Sequence, residues 1–229
     1  MPVKACVFDA YGTLFDVAAA ARAAAAEPGA ERLAALWPKL AEIWRLKQLQ
    51  YTWLRAVTGD HADFWAVTAD GLDVAMEACG LAGDAALRAR LLALYRELEA
   101  YPEVAEMLAA LKAAGRTTAI LSNGSPEMLD AAVANAGLAD LLDAVISVEE
   151  VGVFKPHASV YALVERRLGA SPAETLFVSS NGWDACCGAA FGFRTLWVNR
   201  AGDPMDRLPG RPAHVARDLS GVPALATAL

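Results

Sequence analysis

The run Val3 to Phe8 is short, apolar and rich in β-branched and aromatic residues, and an acidic residue, Asp9, closes it. Such a run reads as a buried strand. After the turn Ala10-Tyr11-Gly12-Thr13, no further strand signal comes before Thr117, and from Phe15 to about Ala100 the pattern is helical throughout. Within it, Val17–Ala26 is alanine-rich and Leu33–Val57 is a long amphipathic stretch that Pro38 should interrupt. Phe64–Cys79 and Ala85–Leu98 follow, with Gly80 and Gly83 as stop signals between them.

Beyond Tyr101-Pro102 the pattern changes to alternation. Strands are expected at Thr117–Leu121, Ala144–Val148, Leu176–Ser179 and Thr195–Val198, with helices at Val104–Ala114, from Ser125-Pro126 toward Gly137, at Ser159–Leu168 and at Ala185–Phe191. Serine suits the N-cap and proline the first helical position, where its missing N–H is not needed. From Ala201 the chain is rich in Pro and Gly and reads mostly as loop. Strands alternating with helices predict a parallel sheet covered on both faces. The expected architecture is thus an α/β core from residues 1–15 and 101–229, with an all-helical insert over 16–100. Because the insert follows strand 1 at once, it should sit above the carboxyl edge of the sheet, where open α/β sheets bind ligands.

Composition narrows the function. With 229 residues, 56% of them apolar, and a mean hydropathy of +0.30, the chain is not a disordered one. No uncharged run approaches the ~20 residues of a membrane span. A net charge of −7 with no long basic run argues against nucleic acid and anionic lipid as partners. Asp9 interrupts the N-terminal apolar run, so no export signal is expected. Cys6, Cys79, Cys186 and Cys187 have neither zinc-ligand spacing nor a favourable disulfide pair, which fits reduced thiols in the cytoplasm. His61, His157 and His214 are scattered without ligand spacing, and no Gly-x-Ser-x-Gly nucleophile elbow occurs.

Polar residues gather where the strands end. Strand 1 ends in Asp9, the second in Ser122-Asn123-Gly124, and the fourth in Ser179-Ser180-Asn181-Gly182-Trp183-Asp184, while Lys155-Pro156 follows the third. Strand ends are often polar simply because they meet turns. A lysine and two acids in one layer go beyond that and point to a catalytic site.

Asp9-Ala10-Tyr11-Gly12-Thr13-Leu14 resembles the first motif of the haloacid dehalogenase superfamily, and Leu121–Ser125, Lys155-Pro156 and Phe177–Asp184 resemble its remaining core motifs. In the insert, Trp44–Arg55 is similar to a stretch typical of L-2-haloacid dehalogenases. The resemblance covers essentially the whole chain and implies a Rossmann-like parallel sheet core with an inserted all-helical cap. One departure is Gly182, where the dehalogenases usually have alanine. Phosphatases of the superfamily carry an acid two positions after the nucleophile to protonate the leaving alcohol; here that position is Tyr11. A halide leaves as a stable anion and needs no proton. The fourth motif offers Ser179, Ser180 and Asn181 where an acidic magnesium ligand is expected, so neither metal nor cofactor is expected. A magnesium-dependent phosphatase is the alternative reading, and a catalytically silent binding protein on the same scaffold is a third.

The resemblance implies hydrolysis of short L-2-haloalkanoic acids to D-2-hydroxy acids. Asp9 attacks the halogen-bearing carbon, and water then cleaves the resulting ester. Lys155 favours the ionised form of Asp9. Ser122 and the helix start at Asn123–Pro126 would take the substrate carboxylate. Arg45, with Asn181, would take the halide. Asp184 is either the base of the second step or the holder of Lys155 and the water. Ser179 and Asn181 would position the ester oxygen, Thr13 would bond Asp9, and Tyr161 matches a family tyrosine. Ala10, Tyr11, Gln48, Leu49, Phe64 and Trp183 would line the pocket around halogen and alkyl group. The partners implied are the haloacid, the released halide and a second copy of the chain, paired through the helix face of Leu46, Leu49, Trp53 and Leu54.

Overall fold

In the computed structural model, residues 1–27 and 31–229 are described; residues 28–30 of the expected 16–100 insert lie outside them. Strand β1 (Ala5–Phe8) is buried along its whole length and is flanked on both sides by parallel partners. A strand with both edges paired and both faces covered has no position for a polar side chain, which is why its sequence is a continuous apolar run. Helices α1 (Ala19–Ala25), α2 (Glu31–Thr58), α3 (Phe64–Ala78) and α4 (Ala85–Arg96) come next, before the alternating part of the chain begins.

That part runs α5 (Val104–Ala113), β2 (Thr117–Ser122), α6 (Pro126–Asn135), β3 (Ala144–Ser147), α7 (Ala158–Tyr161), α8 (Leu163–Leu168), β4 (Thr175–Ser179), α9 (Gly182–Phe191), β5 (Arg194–Val198), β6 (His214–Ala216) and α10 (Val222–Ala228). The six strands are all parallel, in the order β3-β2-β1-β4-β5-β6. Phe8 is in register with Ile120 on one side and Val178 on the other. The chain order reverses between β1 and β4, so the crevice outside the carboxyl ends of these two strands is the ligand position this topology favours. Asp9 stands at its centre.

Three local expectations are corrected. Pro38 does not interrupt α2, which runs through it. The proline forfeits the bond its N–H would have given to Ala34, but Leu33, Leu40 and Trp44 are buried on either side, and that packing keeps the helix continuous. The helix expected over Ser159–Leu168 is two pieces, α7 and α8, on either side of Ala162. Helix α9 starts three residues early, at Gly182, because the Asn181 carbonyl accepts from the amides of both Asp184 (3.1 Å) and Ala185 (3.0 Å). This puts Trp183 and Asp184 in the first helical turn. The tail is mostly loop, as expected, but three-residue β6 extends the sheet edge and α10 buries Val222 and Ala226. Both are too short to show a periodicity in the sequence.

No helix among the described residues is long and apolar enough to cross a membrane. Burial pushes the Cys6 thiol, in the middle of β1, up to about 12. Cys6 is therefore expected to resist alkylation at pH 8 while the protein is folded, with half-buried Cys79 and Cys187 modified first. Mass spectrometry of iodoacetamide-treated protein, with and without denaturant, checks this; rapid native labelling at Cys6 would contradict the buried strand.

Candidate active site

Asp9 is nearly buried, and its two carboxylate oxygens are held differently. Oδ2 accepts from Thr13 Oγ1 at 2.9 Å and from Asn181 Nδ2 at 3.0 Å, while Oδ1 faces Lys155 Nζ at 3.3 Å. Thr13 reaches back because the turn after Asp9 folds tightly: the Ala10 carbonyl accepts from the amides of Thr13, Leu14 and Phe15. Gly12 makes that turn possible, with φ at +87°, which side chains other than glycine rarely adopt.

Lys155 is fully enclosed. Its ammonium lies between Asp9 Oδ1 and Asp184 Oδ2 (2.9 Å), and 5.0 Å from the centre of the Phe177 ring. Its backbone N–H donates to Asn123 Oδ1 at 2.9 Å, which ties the third strand's loop to the end of β2. Burial opposes the charge on Lys155, but Asp184 and Asp9 outweigh it and hold the ammonium above its ordinary pKa. Asp184 has no solvent exposure, and each of its oxygens is occupied: Oδ2 by Lys155, Oδ1 by the Tyr161 hydroxyl at 2.7 Å. Burial pushes the Asp184 carboxyl up against the pull of Lys155. Burial, reinforced by Asp184, also pushes the Tyr161 phenol far up, so it remains a donor.

The helical layer contributes Arg45 from α2. Its Nη2 donates to the Tyr11 carbonyl (3.1 Å) and to Asn181 Oδ1 (3.2 Å), so Asn181 is gripped between Arg45 and Asp9. Ser122 Oγ accepts from Gly124 N–H at 3.0 Å, which leaves the hydroxyl proton to point elsewhere. Ser179 Oγ accepts from Asn181 N–H at 3.2 Å. Gly124 has to be glycine: a Cβ there would lie 2.8 Å from the Tyr11 ring. Gly182 likewise gives room to a neighbour, since a Cβ would meet the Asp206 carboxylate at 2.5 Å.

Buried Tyr11 lies in an aromatic group, stacked on Tyr95 (5.7 Å, 22°) and tilted against Phe64 (5.7 Å); burial raises its phenol well above the ordinary value. Ala10 is buried beside it, and Leu49 is half-buried on α2. Trp183 meets Trp53 edge-on at 5.4 Å, with its Nε1 buried and unpartnered among the described residues. Gln48 is placed differently from the other pocket candidates. Its amide donates to Thr68 Oγ1 (2.9 Å) and the Tyr95 hydroxyl (3.1 Å), so it reaches Tyr11 only through Tyr95.

Three further residues belong to this arrangement. Ser180 N–H donates to Thr13 Oγ1 at 2.8 Å, so the hydroxyl that binds Asp9 is itself oriented; the fourth motif contained Ser180, but nothing singled it out. The Phe177 ring lies against Lys155, and Tyr95 against Tyr11. Phe177 lies in the same motif stretch as Ser180 and Tyr95 in none, and neither is given a role from the sequence, because an aromatic residue in a strand or helix looks like core. His61, given no role from the sequence, bonds Glu149 at 3.0 Å across the boundary between the helical layer and the sheet.

A family model described as haloacid dehalogenase-like hydrolase matches residues 3–192. The chain is 46% identical to (S)-2-haloacid dehalogenase 1 of Pseudomonas sp. (strain CBS-3), over 98% of this chain and 96% of that one. It is 50% identical to the (S)-2-haloacid dehalogenase of Xanthobacter autotrophicus, over 86% and 76%. Among solved structures, the L-2-haloacid dehalogenase from Xanthobacter autotrophicus with chloropropionic acid covalently bound superposes with a TM-score of 0.87 at 42% identity, covering 97% of this chain and 98% of that one.

Replacing Lys155 by Met leaves two buried carboxylates facing each other without a countercharge, a loss that costs about 3–5 kcal/mol in buried pairs. Lys155→Met is expected to lower the melting temperature clearly and to reduce turnover about a hundred- to a thousand-fold. Thermal denaturation and an activity assay on the folded fraction check both; full stability would show that the ammonium does not hold the two acids.

Proposed function

The chain belongs to the haloacid dehalogenase-like hydrolases, within the group of (S)-2-haloacid dehalogenases, and we propose that it converts short L-2-haloalkanoic acids to D-2-hydroxy acids through an ester on Asp9. The observation that carries this reading is the set of groups around one carboxylate: Thr13 and Asn181 on one oxygen, Lys155 on the other, and Arg45 reaching across from the helical layer to the same Asn181. These contacts fix the orientation of the Asp9 carboxylate, as a nucleophile requires. The relative that holds chloropropionic acid covalently supports a covalent path.

In the first step an oxygen of Asp9 forms a bond to C2 from the side opposite the halogen. The carbon–halogen bond breaks, the halide takes the electron pair, and the configuration inverts. Arg45 and Asn181 receive the halide, with the tilted rings of Tyr11, Phe64 and Trp183 around the apolar part of the substrate. The substrate carboxylate lies at the Ser122 hydroxyl and the amides leading into α6, where the helix dipole favours an anion. In the second step water adds to the Asp9 carbonyl carbon and the ester C–O bond breaks. One water proton ends on the product hydroxyl, and the other is lost as Asp9 returns to its charged form. Once Asp9 is an ester, Asp184 is the remaining carboxylate of the cluster. It holds Lys155 in the first step and accepts the water proton in the second; Tyr161 steadies it. Ser179 orients Asn181, beside the ester oxygen.

The phosphatase alternative has two observations against it. Tyr11 stands where a leaving alcohol would need an acid, and its phenol is buried among other rings. The Lys155 ammonium occupies the space between Asp9 and Asp184 that a divalent cation bridging them would have to fill. The exposed Leu46, Leu54 and Val57 leave an apolar side of α2 open, and pairing of two chains there is part of the same reading.

The expected result is halide release from L- but not D-2-chloropropanoate in excess EDTA, abolished in folded Asp9→Asn. Release from neither enantiomer, with magnesium restoring hydrolysis of a phosphate ester, would replace this reading by the phosphatase. In a single turnover in ¹⁸O-water, the label is expected in Asp9 and not in the hydroxy acid. Label in the first product would mean that water attacks the substrate directly.

A further inference from the structure

We infer that Arg200 is a positioning residue that clamps the two linkers between the sheet and the helical layer, and through Thr13 and Arg45 fixes the approach of nucleophile and halide site. The inference rests on the dehalogenase reading above for its kinetic consequence, but its geometry stands independently.

The outgoing linker leaves Asp9 toward α1, and the returning linker enters α5. They are zipped together: Phe15 and Ala100 form an antiparallel bridge, Tyr101 N–H donates to the Leu14 carbonyl (2.9 Å), and Asp16 N–H to the Glu99 carbonyl (3.0 Å). Arg200, just past β5, belongs to the sheet and touches both. Its Nη2 donates to the Thr13 carbonyl at 3.2 Å and pairs with Glu103 Oε1 at 2.8 Å. The guanidinium lies 3.7 Å from the centre of the Tyr101 ring. Its side chain is only 23% exposed, so solvent screens these contacts little. A lysine could bond the Thr13 carbonyl and pair with Glu103, as Nη2 does, but lacks the flat guanidinium face that lies against Tyr101.

Both ends of the chemistry hang on this junction. The Thr13 carbonyl is held by Arg200 while the same residue's hydroxyl is bonded to Asp9 Oδ2, so rotation of Thr13 would release the carboxylate oxygen. Arg45 in turn is anchored to the Tyr11 carbonyl of the outgoing linker, two residues before Thr13. A tilt of the helical layer about the linkers would therefore draw Arg45 away from Asn181, which stays with the sheet. None of the three motif residues Asp9, Thr13 and Arg45 signals this, since Arg200 lies outside every core motif.

The test uses Arg200→Ala and Arg200→Lys in the full chain, with L-2-chloro- and L-2-bromopropanoate and with amide hydrogen exchange. Misplacing a reacting group by about 1 Å costs on the order of a hundred-fold, so Arg200→Ala is expected to lower kcat/KM for chloride release by about 10- to 100-fold. The loss on bromide should be smaller, because the better leaving group leans less on Arg45. Arg200→Lys should recover part of the difference, and it carries the test if the alanine variant does not fold. The Tyr101 and Asp16 amides should exchange faster in both variants while those of β1 stay protected. Equal losses for both halides, with unchanged exchange at Tyr101 and Asp16, would reduce Arg200 to a stability residue and overturn the proposal. Unchanged kinetics would overturn it as well. If the unsubstituted protein releases no halide, the dehalogenase reading fails, and the exchange at the linker amides still decides the clamp.

Discussion

A lysine ammonium buried between two carboxylates is the constraint to which the rest of the molecule answers. Removing Asp9, Lys155 and Asp184 from water is costly, and attraction between them offsets that cost only if every remaining donor and acceptor is satisfied. Asp9 receives Thr13 and Asn181, Asp184 receives Tyr161, and the third side of the ammonium meets the face of Phe177. Two carboxylates and one ammonium give the cluster one more formal negative than positive charge. In the proposed reaction, positive potential for the anionic substrate and the departing halide would come from elsewhere, from Arg45 and from the start of α6.

Holding three charges at these distances requires a rigid frame, and the parallel sheet provides it. Asp9 is fixed by β1, the most central strand with β4 beside it, while Lys155 and Asp184 arrive from opposite sides along β3 and β4. Tight approaches secure the geometry. Gly188 lies so near Phe177 that a Cβ would come within 2.8 Å of its ring, which keeps that ring under Lys155. Tyr161 packs edge-on against Phe177 and Phe193, so the residue that holds Asp184 shares an aromatic wall with the residue that covers the ammonium. The wall excludes water from the back of the cluster, and low local polarity strengthens each contact inside it.

The other half of the site sits on a separate layer, and this divides its chemistry. The sheet holds Asp9 and the groups bonded to its carboxylate. The helical layer brings Arg45 and the rings around Tyr11. Contact between the layers includes polar pairs, among them Arg45 with Asn181 and His61 with Glu149, and aromatic ones, as between Phe64 and Phe154 with ring centres 6.3 Å apart.

Much of this was legible in the residues themselves. The apolar run ending in Asp9, the alternation after Tyr101 and the polar strand ends define an α/β sheet with its reactive edge, because buried parallel strands must be apolar and their ends must turn. Asp9, Lys155 and Asp184 stand out because a lysine and two acids at the strand ends have no packing reason to exist, whereas Thr13, Arg45, Ser122 and Asn181 are singled out only by the family resemblance. Tertiary structure alone decided the rest. Continuation of α2 through Pro38 depends on what Leu40 and Trp44 pack against. The early start of α9 depends on the Asn181 carbonyl. The turn of Gln48 toward Tyr95, the ring of Phe177 under Lys155 and the grip of Arg200 on Thr13 join residues far apart in the chain, and an aromatic or arginine side chain carries no mark of which distant partner it will meet. Local sequence determines which groups must be buried or must turn; only the closed packing of sheet against helices determines which of them touch.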